Sequence, residues 1–73
     1  MTMYTPEEIC SVIKSTMRIK ELPLNLEFSN AGFSNADLLK IQTGLAKRYN
    51  KTASTINYSD TTYTLTDKMN GKN

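Results

Sequence analysis

The chain has 73 residues, a net charge of +2, one cysteine and no histidine. A chain of that length is expected to form one domain, 1–73, burying only roughly 60 % of the surface its unfolded form exposes. The lone Cys10 excludes a disulfide framework, and the missing histidine removes Cys/His nucleophiles and the common zinc patterns. No apolar run is long enough to span a bilayer. The opening MTMYTPEEIC carries acids where a signal peptide would carry bases, so a cytoplasmic protein is expected. A reducing compartment agrees with the single thiol.

The first helix is predicted over residues 6–18. Thr5-Pro6-Glu7-Glu8 supplies a hydroxyl N-cap, a proline whose missing N–H costs nothing at the first helical position, and a glutamate in the first turn. At about 100° per residue, Ile9, Cys10, Val12, Ile13, Thr16 and Met17 share one arc. Glu7, Glu8, Ser11, Lys14, Ser15 and Arg18 fill the other. Cys10 therefore reads as a small core residue rather than a reactive thiol.

Residues 19–33 form a long connection, because Leu22-Pro23-Leu24 stops any helix. Leu22, Leu24, Leu26 and Phe28 alternate with Pro23, Asn25 and Glu27 as a strand would. No second alternating run offers a pairing partner, so an ordered loop laying leucines and Phe28 along a helical core is expected. Loops of this length inside a small domain are often functional.

The second helix starts after Gly32-Phe33, with Ser34 as N-cap in a capping-box-like Ser34-Asn35-Ala36-Asp37, and runs to Tyr49. Leu38, Ile41, Leu45 and Tyr49 recur at helical spacing, flanked by Gln42, Ala46 and Leu39. Asp37, Lys40, Thr43, Gly44, Lys47 and Arg48 form the outward arc. Gly44 in mid-helix costs up to ~1 kcal/mol relative to alanine; close packing against it and neutral drift both account for it.

Residues 50–60 are polar and β-branched, with Ile56 and Tyr58 as anchors and a short helical turn over 54–58. Asp60 then caps a last helix through residue 70 whose inner side is Tyr63, Leu65 or Thr66, and Met69. Its threonines have poor helix propensity, so it depends on packing. The tail 71–73 is expected to fray. The expected fold is an all-α up-and-down bundle of three main helices and a short one.

In order and spacing these elements resemble the acyl carrier protein family over nearly the whole chain. TPEEI resembles the opening of its first helix, Phe28 precedes a glycine by a few residues as the family's loop phenylalanine does, and Asp60-Thr61-Thr62-Tyr63 is similar to the T-T-V of its last helix. GFSNADLLKIQTGLAKRY is similar to the family's G-x-D-S-L and the helix that follows. The resemblance implies a non-catalytic protein of fatty-acid, polyketide or related biosynthesis, carrying acyl intermediates on a 4'-phosphopantetheine arm. The arm is joined by a phosphodiester to the serine of D-S-L. Laid out without gaps, Ser34 falls where the family has Asp, Asn35 where it has the modified Ser, and Ala36 where it has Leu. An amide forms no phosphodiester.

Two readings therefore stand at Ser34. It bears the arm after a one-residue shift, at a helix N-terminus where a phosphate is electrostatically welcome, or it is only a cap. The resemblance also implies partner enzymes that dock on the second helix, normally on an acidic face. Here Lys40, Thr43, Lys47 and Arg48 occupy that face, which calls for an acidic or apolar partner. A degenerate, unmodified carrier fold acting as an interaction module is the alternative. In the family the core opens for an acyl chain; Ile13, Met17, Leu38, Ile41, Leu45 and Met69 would line such a space or simply pack.

Residues 37–51 hold one acid against Lys40, Lys47, Arg48 and Lys51. These cations suit modest phosphate contacts, but no helix-turn-helix signature or aromatic platform accompanies them, and nucleic-acid binding is not expected. Neither is membrane insertion, metal binding or catalysis, since no nucleophile–base constellation is present. A monomer is expected.

Overall fold

The computed structural model describes residues 3–51, 53 and 55–71. It contains helices α1 (Pro6–Met17), α2 (Asn35–Tyr49) and α3 (Thr62–Met69), with no strand among the described residues. The fold is a small all-α bundle. No helix among the described residues is long and apolar enough to cross a membrane.

α1 begins as its sequence dictates. The Thr5 hydroxyl accepts from the Glu8 N–H at 3.1 Å, and the Glu8 carboxylate accepts from the Thr5 N–H at 3.0 Å. Two otherwise orphaned donors are thereby satisfied. The helix ends one residue before the expected position, because Arg18 turns left-handed at φ 57° and its N–H closes on the Lys14 carbonyl. Ile9, Cys10 and Ile13 form its buried stripe. Both other helices pack against α1, while the backbones of α2 and α3 do not come close to each other.

The space between them is filled from the connections. Leu22, Phe28, Phe33 and Ala53 join Leu38, Ile41 and Leu45 of α2 and Leu65 and Met69 of α3 in one core with the α1 stripe. The Cys10 thiol donates to the Leu22 carbonyl at 3.4 Å, tying the loop to α1. Ile13, Leu38, Ile41, Leu45 and Met69 are all buried and Met17 is half-buried. They make up the packed interior and its edge, and none of them lines a surface groove described below.

Residues 22–28 form turns and no strand, yet the loop does find a backbone partner. The Phe28 N–H donates to the Asp60 carbonyl at 2.9 Å and the Ser29 N–H to the Tyr58 carbonyl at 2.9 Å. These bonds explain why the expected turn of helix over 54–58 is absent from the described part of that stretch. Its polar groups are committed elsewhere: Asn57 N–H to the Asp60 carboxylate, Asp60 N–H to the Asn57 carbonyl, and the Thr55 carbonyl to Lys68 Nζ. Ser54 lies outside the described residues. Ile56 is half-buried against the core, whereas Tyr58 is exposed.

α3 starts one residue later than expected. Thr61, not Asp60, is the N-cap: its hydroxyl accepts from the Thr64 N–H, and the Thr64 hydroxyl accepts from the Thr61 N–H. Asp60 is buried instead, accepting from Asn57 N–H at 2.8 Å, the Thr64 hydroxyl at 2.8 Å and Lys68 Nζ at 2.7 Å. Tyr63, expected inside, is exposed; Thr62 and Thr66 are buried with Leu65 and Met69. Of the tail expected to fray, Gly71 is held by its N–H donating to the Lys68 carbonyl at 3.1 Å, and Lys72 and Asn73 lie outside the described residues.

Candidate functional site

The loop that delivers Ser34 is wound tightly. The Asn30 and Ala31 N–H groups return to the Glu27 carbonyl, Gly32 to Ser29 and Phe33 to Phe28, all within 3.2 Å. Gly32 sits at φ 81°, the left-handed region that glycine reaches without strain. The Phe28 and Phe33 rings lie 5.6 Å apart and are both buried, so the turn is anchored from below.

Ser34 emerges from this anchor as the exposed N-cap of α2. Its hydroxyl accepts from the Asp37 N–H at 3.2 Å, and the Asp37 carboxylate accepts from the Ser34 N–H at 2.9 Å. The Ser34 N–H bond is the main reason the Asp37 carboxyl is held below its ordinary value; desolvation opposes it, and the Ser34 hydroxyl and the Lys40 charge reinforce it. Asn35 and Ala36 are exposed in the first turn of α2, and the Asn35 side chain makes no hydrogen bond among the described residues. Ser34 thus caps α2 while remaining an exposed residue.

The four residues expected to meet a partner lie on the side of α2 that borders α1. Lys40, Thr43 and Lys47 line an open groove of about 420 Å³ together with Leu39, Gly44 and Thr16. Arg48 lines an adjoining groove of about 460 Å³, whose α1 side is Ser11, Val12, Ser15 and Thr16. Thr43 contributes little polar capacity, because its hydroxyl donates to the Leu39 carbonyl at 2.9 Å. Arg48 lies 5.9 Å from the Tyr49 ring centre, and Lys51 lies 5.9 Å from that of Tyr4. The Tyr4 and Tyr49 rings are 4.7 Å apart, and the Asn70 amide holds the Tyr4 backbone through two hydrogen bonds. Ser34 lines none of these grooves, so cap and basic face are separate features of one helix.

Two residues of this face differ from expectation. Leu39, read as a flank of the buried stripe, is 60 % exposed. Gly44, read as outward, is half-buried at the α1 crossing, where an added Cβ would stand 2.6 Å from Thr16 Oγ1. Of the two explanations for this mid-helix glycine, close packing is correct. The α1 contribution to the grooves was missed; Gly44 was the signal that pointed to it. Among the described residues no group of three or more acids, cysteines or histidines is placed to hold a metal ion.

Comparison with known proteins returns nothing: no family model, no curated protein and no solved structure matches this chain.

Proposed function

We propose that the chain is a non-catalytic, carrier-like interaction module that engages an acidic partner protein through the basic side of α2, with Ser34 serving as a helix cap. The observation that carries this reading is the reciprocal Ser34–Asp37 capping box beside a groove lined by Lys40 and Lys47. The first accounts for Ser34 without any modification, and the second supplies a concave surface with one sign of charge. Such a surface steers and selects a partner more than it adds raw affinity. Capture from the source cell lysate with the wild type and with K40E/K47E side by side tests it. Proteins lost specifically from the double variant are expected; an identical captured set rejects the basic side of α2 as the docking face.

A second reading rests on the exposure of Ser34 at the start of a 15-residue helix. In it, the protein is a cytoplasmic monomeric carrier for biosynthetic enzymes. The Ser34 oxygen attacks the pyrophosphate of coenzyme A, forming the phosphodiester of a 4'-phosphopantetheine arm and releasing adenosine 3',5'-bisphosphate. Incubation with a broad-specificity phosphopantetheinyl transferase and coenzyme A, read by intact mass, separates the two. An unchanged mass fits the module; a gain of one arm that disappears in Ser34→Ala establishes the carrier.

A further inference from the structure

Resting on the docking reading above, we infer that the crevice between α1 and α2 is a seat for an acidic amphipathic helix of the partner. The two grooves share Thr16, Gly44 and Lys47, so they form one trough running past the helix crossing. At its middle the floor is the close approach of α1 and α2, where Gly44 has no side chain and Thr16 occupies the space a Cβ would need. Apolar surface is offered along it by Leu39, 60 % exposed, and by half-buried Val12. Lys40, Lys47 and Arg48 stand along its edge. An apolar strip edged by cations is complementary to a helix with an apolar stripe flanked by carboxylates.

The shape favours a helix over other occupants. The trough is open along its length rather than an enclosed chamber, which suits an extended partner better than a small molecule. From Leu39 to Arg48 it follows α2 for roughly 14 Å at ~1.5 Å per residue, between two and three turns of a facing helix. No strand edge exists among the described residues for an extended peptide to join. The polarity is also set. Glu7 and Glu8 border the end near Arg48 and Tyr49, so the partner's acids belong toward Lys40 and Lys47.

The test is a titration of the isotope-labelled full chain with a designed peptide of about four helical turns, bearing leucines on one face and glutamates beside them. Amide shifts are expected at residues 11–16 and 39–48, weakening with added salt. Binding should fall about tenfold in K40E/K47E and about threefold in Leu39→Ser, whose exposed side chain can change without loss of fold. A peptide with lysines replacing the glutamates should recover binding to K40E/K47E. Equal binding of the amphipathic peptide and plain polyglutamate would remove the trough while leaving the basic face as a docking surface. No shifts in the trough overturn the inference. So do shifts there on concentrating the protein alone, which give the trough to a second copy, or on adding anionic vesicles, which give it to a lipid surface.

Discussion

Placing a methyl group on Gly44 sets two effects of similar size against each other. In an exposed helix interior, glycine to alanine gains about 1 kcal/mol, because alanine loses less backbone freedom on folding. At this crossing the new Cβ stands 2.6 Å from Thr16 Oγ1 and 3.6 Å from both Thr16 Cβ and Cγ2. Of the other two χ1 rotamers of Thr16, one puts Cγ2 where the hydroxyl stands and the other turns Hβ there, so relief requires Thr16 to leave its packed rotamer or α1 and α2 to part slightly. Overpacking of this kind costs typically about 1–3 kcal/mol. Gly44→Ala alone is therefore expected to destabilise by roughly 1 kcal/mol net, with the two contributions combined. In a Thr16→Ala background the obstruction is gone and the same substitution should stabilise by about 1 kcal/mol. Urea unfolding of the four proteins gives the coupling, expected near 2 kcal/mol, with the m-value unchanged. Equal stabilisation in both backgrounds would mean that α1 and α2 do not meet at Gly44, and the floor of the trough would go with it.

Three further outcomes follow from the same contacts. Ser34→Ala should cost about 1 kcal/mol in urea unfolding through loss of the α2 cap, whereas Asn35→Ala, exposed and unbonded, should change stability by less than about 0.5 kcal/mol. Burial opposes ionisation of Asp60, but its bonds from Lys68, Asn57 and Thr64 and the Lys68 charge outweigh it, so its carboxyl is held below the ordinary value. With the folded value depressed, this stabilisation is full above the unfolded value near ~3.9 and is lost as pH falls through the folded one. Asp60→Asn should flatten that acid limb of the unfolding midpoint; an unchanged limb contradicts the network. The Thr62 hydroxyl is buried with no hydrogen-bond partner among the described residues. Thr62→Val should therefore stabilise by about 1 kcal/mol in the same assay, and a loss would show that the hydroxyl is satisfied.

The parts of the fold legible in the sequence are those where local chemistry and periodicity agree. Thr5-Pro6-Glu7-Glu8 and Ser34-Asn35-Ala36-Asp37 both close as reciprocal capping boxes, and the stripes behind them are the ones that become buried. At α3 the local signal was ambiguous, because Asp60, Thr61 and Thr62 can each cap a helix. Thr61 does so, since Asp60 is taken by Lys68 and Asn57 from either side in the chain. Tyr63 faces outward and Thr62 is buried, its hydroxyl hiding a core role from a reading by polarity, while Leu65 and Thr66, offered as alternatives for the inner side, are both buried. The basic residues of the candidate site were plain in the sequence, as was the serine at the cap. The trough was not, because it depends on α1 approaching α2 at Gly44, a contact made between residues 28 positions apart.

The measurement closest to the central claim is the affinity of a purified, captured partner for the wild type, Ser34→Ala and K40E/K47E at low and high salt. The account predicts a salt-sensitive interaction that Ser34→Ala leaves within about twofold and K40E/K47E weakens by about tenfold or more. An interaction indifferent to the two lysines and abolished by Ser34→Ala would contradict it, and would return the function to the serine.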